Sequence, residues 1–211
     1  VLAHEIRNPL GSIKGAAQVL RSEAESAEQR NLLDVITEEV NRLNRVVTKF
    51  LDYARPYRPE MRPRSVNAVI EKALAVIEAD SLSSRIEIQW ELHPHLPPVP
   101  MDQEQIHQVI LNIAINAVEA MPEGGTLTVR TSRIESDTGD AVAIAIRDTG
   151  HGIPREALKD IFTPFFTTKE RGVGLGLAVC ERIIRSHGGK IRVKSIPGQG
   201  TIFLIRLETL E

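Results

Sequence analysis

A change of hydrophobic period across Arg55–Arg64 constrains this chain more than any other feature. Upstream, Leu2, Ile6, Leu10, Ile13, Ala17 and Leu20 recur every three or four residues and predict an amphipathic helix from Leu2 to about Glu25. Leu32, Leu33, Ile36, Val40, Leu43, Val47, Phe50 and Leu51 do the same from about Asn31 to Tyr53, with Glu38 and Arg42 as an i,i+4 pair on the wet side. Polar Ser22–Arg30 is the turn. Two helices so joined form an antiparallel hairpin that cannot cover both apolar stripes alone. Pairing with a second copy into a four-helix bundle is the simplest solution, although a bare helical stalk shows the same pattern. The boundary, RPYRPEMRPR, carries three prolines and four arginines with almost nothing to bury, which predicts a semi-rigid linker.

Downstream the pattern is mixed. Asn67–Ala79 reads as a helix, and Arg85–Leu92, with the only tryptophan, alternates like a half-buried strand. Pro94–Pro100 is a proline-rich loop. Asp102 caps a helix to about Met121, stopped by Gly124-Gly125. Strands Thr126–Ile134 and Ala141–Arg147 flank the turn Glu135–Asp140. After the loop Asp148–Pro154 come a short helix, Arg155–Ile161, and a Gly- and Thr-rich segment, Thr163–Leu175, expected to be mobile. A helix over Gly176–His187 ends at Gly188-Gly189, and strands Lys190–Ile196 and Thr201–Leu207 flank the turn Pro197–Gly200. The fold class expected is α+β. The hairpin, residues 1–54, and the linker, 55–64, precede an α/β sandwich over 65–211, a mixed or antiparallel sheet with helices on one face.

The totals exclude several function classes. A net charge of −2 argues against generic nucleic-acid binding. The single cysteine, Cys180, rules out an internal disulfide, fits a reducing compartment and sits in an apolar run as a small buried side chain. No apolar run reaches membrane-spanning length and no signal peptide is evident, so a cytoplasmic location is expected. The abrupt start in helix pattern reads as a fragment of a longer protein.

Five short blocks carry chemistry. AHEIRNPL, 3–10, offers an imidazole at His4, a carboxylate at Glu5 and an amide at Asn8 a turn on, with Pro9 bending the helix just beyond. A neutral imidazole is a nucleophile and proton carrier near pH 7. A lone helical histidine is more often a packing residue. NIAINAVEA, 112–120, puts Asn112, Asn116 and Glu119 on one helix face, hard oxygen ligands that suit Mg²⁺, or an ordinary polar face. DTGHGIP, 148–154, sets Asp148 at a strand end before Gly150 and Gly152, which let backbone come close to a ligand; the carboxylate can accept from an exocyclic amine. His151 lacks partners at ligand spacing and reads as a solvated loop residue. FTPFFTTK, 162–169, groups three phenylalanines read as a small core plug. GVGLGLAV, 172–179, runs a glycine loop into a helix N-terminus, where free N–H groups favour phosphate. It fits neither the P-loop nor the dinucleotide fingerprint.

In this order the last four blocks resemble the N, G1, F and G2 boxes of the Bergerat-type ATP-binding domain. AHEIRNPL resembles the H box of sensor histidine kinases, with wording most like the nitrogen-regulation branch. The resemblance covers essentially the whole chain. It implies a homodimeric, ATP-dependent protein-histidine kinase of a two-component system, with ATP and Mg²⁺ as cofactors and the receiver domain of a response regulator as partner. His4 would be autophosphorylated, Glu5 would accept the other ring proton, and Asn8 would orient a water against a partner's phospho-aspartate. Asn116 would hold Mg²⁺, with Asn112 beside it and Glu119 assisting through water. Asp148 would read adenine, with Gly150 and Gly152 allowing close approach and Thr201 on the adenine side. Gly172, Gly174 and Gly176 would form the phosphate loop; Lys169 and Arg171 are our own candidates for γ-phosphate contacts, beyond what the resemblance implies. Val173 stands where the branch often has threonine. A mobile linker and a lid that orders with nucleotide are expected. A clamp-type ATPase or a scaffold that binds nucleotide without turnover are the alternatives.

Overall fold

A computed structural model describes residues 2–54, 59–79, 85–135, 140–169 and 172–209, without the side chains of 2–5, 7, 45, 49 and 52–54. The chain divides into two compact units, Val1–Tyr57 and Arg58–Glu211.

The first unit is a helical hairpin. Helix α1, Leu2–Glu23, runs through Pro9 without interruption. After three residues α2, Ala27–Ala54, begins on a cap the sequence reading missed. Ser26 Oγ accepts the Gln29 N–H at 3.1 Å, while Gln29 Oε1 accepts the Ser26 N–H at 3.2 Å. This reciprocal Ser-x-x-Gln box starts the helix four residues earlier than the apolar period does. Arg21 and Asp34 pair across the hairpin, whereas Arg42 pairs with Glu39 at 2.8 Å rather than with Glu38. Both spacings lie on one face, and at half exposure such a pair contributes little. Ala17 and Val40 are the buried apolar residues among those described here. Leu32 and Val35 remain 60% and 63% exposed. The hairpin therefore presents a wide apolar face.

The second unit is a layer of helices on one face of a five-stranded mixed sheet. Helix α3, Val66–Glu78, is capped by Ser65. Strand β1, Arg62–Arg64, pairs antiparallel with β3, Val99–Met101. This corrects two readings: the last part of the linker and the end of the proline-rich loop are strands. Proline at β-ribbon edges is tolerated because its missing N–H points outward, and the pairing spans some forty residues that no local pattern connects. Of the linker, residues 55–58 lie outside those described.

The main sheet has the order β2-β4-β5-β7-β6, with β2, Ile86–Glu91, parallel to β4, Gly125–Ile134. Strands β5, Ala141–Asp148, β7, Gly200–Glu208, and β6, Lys190–Ile196, continue it antiparallel. Parallel pairing of β2 and β4 requires a crossover, and α4, Gln103–Glu119, lies in that connection. Leu127 and Val129 of β4, Ile144 and Ile146 of β5, and Phe203, Ile205 and Leu207 of β7 alternate inward. They meet Ile106, Ile110 and Ile113 of α4 and Ile183 and Ile184 of α5, Gly176–Ser186. Residues 155–162 form successive turns rather than the helix expected there. Pro154 O accepts from Ala157 and Leu158, and Asp160 then folds back on Ala157. Only Ala157 and Ile161 in that run are buried, too few for a stable apolar stripe.

Two buried polar residues fasten α4 to α5. Asp102 Oδ1 accepts the Glu104 and Gln105 N–H groups, and its Oδ2 accepts the Glu60 N–H at 3.1 Å. His187, at the end of α5, accepts the Asp102 N–H on Nε2 at 3.0 Å and donates from Nδ1 to the Ile183 carbonyl at 2.8 Å. Both ring nitrogens are thereby engaged, and the pairing assigns the Nδ1–H tautomer. Replacing His187 with Ala leaves the Asp102 N–H buried and unpaired. Urea unfolding of the His187→Ala chain is expected to show a loss of about 1–3 kcal/mol, against no measurable change for Arg185→Ala on the exposed side of the same turn.

Candidate functional site

The last turns of α4, the loop after β5 and the segment leading into α5 carry the four blocks of the second unit, and the β6–β7 hairpin packs against the second of these. Asp148 ends β5 and is 4% exposed. Its Oδ1 accepts the Gly150 N–H at 2.9 Å and the Thr201 N–H at 3.2 Å. Among the described residues both of these bonds fall on Oδ1, which leaves Oδ2 as the oxygen a ligand can use. Burial pushes the Asp148 carboxyl above the usual aspartate range, against the pull of the Gly150 and Thr201 N–H groups, nearby His151 and its own backbone N–H.

The glycines of this loop work differently from the reading above. A Cβ on Gly150 would lie 2.5 Å from the Ala120 carbonyl oxygen, and one on Gly152, at φ +71°, would lie 2.4 Å from that of Ile196. The close approach they permit is to the chain's own backbone. His151 N donates to Ala120 O, and His151 O accepts from Gly198 N at 2.8 Å. His151 itself is exposed, with Nδ1 on the Gly152 carbonyl. Ser195, which the sequence reading missed, joins the two loops. Its Oγ accepts the Ile153 N–H at 2.7 Å, donates to Gly200 O and touches Thr201 Oγ1 at 3.0 Å. A polar residue in an edge strand beside a Pro-Gly turn was its only signal.

Asn112 and Asn116 share the α4 flank that meets α5 but have separate tasks. Asn112 lies beside Cys180 of α5, whose thiol burial pushes up to about 12; that thiol donates to the Val109 carbonyl at 3.8 Å. Asn116 Oδ1 instead accepts from Lys169 Nζ at 3.0 Å, and the same ammonium pairs with Glu119 Oε2. An amide and a carboxylate oxygen thus already hold a cation. This donor chemistry suits Mg²⁺, which takes few protein ligands and keeps waters and phosphate oxygens.

In the glycine loop, Gly174 at φ +71° is required by the chain itself, since a Cβ would lie 2.5 Å from the Phe165 carbonyl carbon. Gly172 is crowded by Thr167, and Gly176 opens onto free space at the first turn of α5. Leu175 at the N-cap supplies no side-chain acceptor, so the first N–H groups of α5 are left for an anion. The phenylalanines are not a core plug: Phe165 is 54% exposed at φ +69°, and Phe162 and Phe166 are half-buried. Leu175 and Ile161 fill that place instead. Arg171 and the side chains of His4 and Glu5 lie outside those described; the backbone puts His4 in the first turns of α1, and Asn8 is exposed on the same helix.

The model of histidine kinase-, DNA gyrase B- and HSP90-like ATPases matches residues 101–211, more than half of the chain, and the His Kinase A (phospho-acceptor) domain matches residues 1–56. The chain belongs to the histidine kinase family. This kinase core is 40% identical over 206 residues to the signal transduction histidine-protein kinase AtoS of Escherichia coli (strain K12), covering 98% of the chain and 33% of AtoS. It is 40% identical over 210 residues to the sensor histidine kinase ZraS of Salmonella typhi, covering 99% of the chain and 44% of ZraS. The core thus spans less than half of either relative. The structure of full-length ShkA in complex with AMPPNP superposes with a TM-score of 0.76 at 29% identity, over 99% of this chain and 45% of that one. The histidine kinase ThkA in complex with the response regulator TrrA gives 0.72 at 29% identity, over 99% and 60%. No helix among the described residues is long and apolar enough to cross a membrane.

The raised carboxyl of Asp148 has a signed consequence for the kinase core. A folded-state value above the unfolded one contributes stability below the unfolded value and loses it as pH rises through the folded value. At pH 7 the ionised, buried group therefore works against the fold. Asp148→Asn is expected to melt at the same temperature as wild type or a few degrees higher at pH 7, with the difference vanishing at pH 3, while losing nucleotide binding. Thermal melts at the two pH values, paired with a nucleotide titration, check both halves.

Proposed function

We propose that this core phosphorylates His4 from Mg-ATP and passes the phosphoryl group to an aspartate of a response regulator. The observation that carries the reading is the pairing, in one chain, of a helical hairpin bearing AHEIRNPL with a site that has a buried carboxylate oxygen, an oxygen cation seat and an uncapped helix start. A clamp-type ATPase has no use for the first, and intact Asn116, Asp148 and the glycines speak against a scaffold without turnover.

ATP supplies the phosphoryl group, and Mg²⁺ neutralises the charge on its phosphates. Asp148 Oδ2 accepts from the exocyclic amine of adenine, beside Thr201. Asn116 holds Mg²⁺, Glu119 acts through its waters, and Asn112 positions this face of α4 through Cys180. The first-turn N–H groups of α5, opened by Gly176, receive phosphate, with Lys169 and Arg171 meeting the γ-phosphate. Gly172 and Gly174 let the loop turn before α5, as Gly150 and Gly152 let the adenine-side loop pack down. Val173 leaves these backbone donors unchanged.

At His4, one imidazole nitrogen attacks the γ-phosphorus, the bond to the bridging oxygen breaks, and ADP leaves. Glu5 holds the proton on the other nitrogen, which keeps the attacking lone pair free. An aspartate carboxylate of the receiver domain then attacks phosphohistidine and restores the imidazole. Asn8 orients a water against the resulting phospho-aspartate and so reverses the signal. The exposed apolar face around Leu32 and Val35 is covered by a second copy in a four-helix bundle.

Incubation with γ-labelled Mg-ATP tests the reading. Acid-labile, alkali-stable label on the wild-type chain, absent from His4→Gln and slowed about 10²- to 10⁴-fold in Glu5→Gln, is expected. Asn8→Ala should keep the label and lose regulator dephosphorylation. Phosphate release with no labelled protein would replace the kinase reading with the ATPase one.

A further inference from the structure

Lys169 is anchored at both its ends. Its backbone is held in a turn, with its N–H donating to Thr167 Oγ1 at 3.1 Å and its carbonyl accepting from Gly172 N at 3.1 Å. Its side chain reaches α4, fifty or more residues away in sequence, where the ammonium engages Asn116 Oδ1 and Glu119 Oε2 together. These two oxygens stand one turn apart on α4, at the spacing that lets side chains meet on one face. Among the described residues the ammonium ties the segment that ends at Lys169 to α4, and the Phe165 N–H donates to the Gly174 carbonyl before α5.

An ammonium has three donors and no acceptor, and any oxygen it occupies is withdrawn from another cation. Amide and carboxylate oxygens are also the ligands a hard divalent ion takes. We propose that Lys169 and Mg²⁺ compete for the Asn116–Glu119 oxygens, so that Lys169 holds the 162–169 segment on α4 until a magnesium nucleotide displaces it. The proposal rests on the Mg-nucleotide reading above and adds a device to it: the ion that brings the phosphates also releases the segment beside them. Displacement frees the ammonium at the place where a phosphate arrives, so the same side chain changes from a counter-ion of α4 to a counter-ion of the ligand.

Magnitude decides whether this contact is a lock or a latch. The Lys169 and Glu119 side chains are 40% and 52% exposed. A pair that open to solvent biases its equilibrium by only about 1.5- to 5-fold. It delays the ion at low Mg²⁺ and is overrun at saturation, which is the behaviour of a latch.

The test is ADP binding by the 211-residue chain as a function of Mg²⁺ concentration, since ADP lacks the γ-phosphate that Lys169 is proposed to meet. Lys169→Met is expected to lower the Mg²⁺ concentration that half-saturates ADP binding by about 2- to 5-fold. Lys159→Met, which removes the same charge from the exposed turns just before that segment, should leave it unchanged. Equal Mg²⁺ dependence in wild type and Lys169→Met, or an equal shift in both variants, overturns the competition while leaving the nucleotide site intact. A wild-type chain that binds no ADP at any Mg²⁺ concentration overturns the nucleotide reading, and the competition with it.

Discussion

One carboxylate, Asp148, holds the nucleotide end of the second unit together while keeping half of itself in reserve. Its Oδ1 gathers two backbone N–H groups, one from the loop after β5 and one from the start of β7, 53 residues on from Asp148. Around that junction the backbones approach so closely that Gly200 could carry no Cβ, which would lie 2.0 Å from the Asp148 carbonyl oxygen. Ser195 closes the junction from β6. A buried anion is a poor choice for stability alone, since an amide could take the same two donors without the desolvation. Its retention makes sense where the remaining oxygen has a task, which is how a perturbed titration marks a functional position.

Helix α4 organises the rest by giving each of its flanks a different partner. The apolar flank seats it on the sheet, Lys72 of α3 meets Glu104 on another, and the polar flank turns Asn112 to α5 and Asn116 with Glu119 to Lys169. Because the helix is fastened at its start by Asp102 and His187, the polar flank is presented by a rigid rod, while the Lys169–Glu119 pair that meets it is half exposed. That contrast in rigidity suits a site whose cation and phosphates must enter and leave.

Much of the fold was legible where neighbours in sequence are neighbours in space. The period of Leu2 to Leu20, the Asp102 cap, the Pro197–Gly200 turn and the Gly188-Gly189 stop are local signals, and each element lies where they put it to within a few residues; residues 136–139 of the Glu135–Asp140 turn lie outside those described. What escaped was non-local or shared. Nothing near Arg62 announces Val99 as its partner, and nothing near Ser195 announces Ile153. The three phenylalanines looked like core by composition, but the turn at Phe165 faces solvent, and smaller Ile161 and Leu175 fill the interior. The glycines of DTGHGIP were legible as a need for close approach, yet only three dimensions reveal that the approach is to Ala120 and Ile196. Lys169 was legible as a cation near phosphate; its present partners on α4 were not.

The account stands or falls on the free oxygen of Asp148, and comparing ADP with IDP addresses it directly. IDP carries a carbonyl where adenine has its exocyclic amine, so it offers an oxygen to a carboxylate that needs a donor. The wild-type chain should bind ADP at least about 10²-fold more tightly than IDP at saturating Mg²⁺, and Asp148→Asn should erase or invert that preference. Equal binding of the two nucleotides by the wild-type chain would contradict the assignment of Asp148 as the group that reads the base.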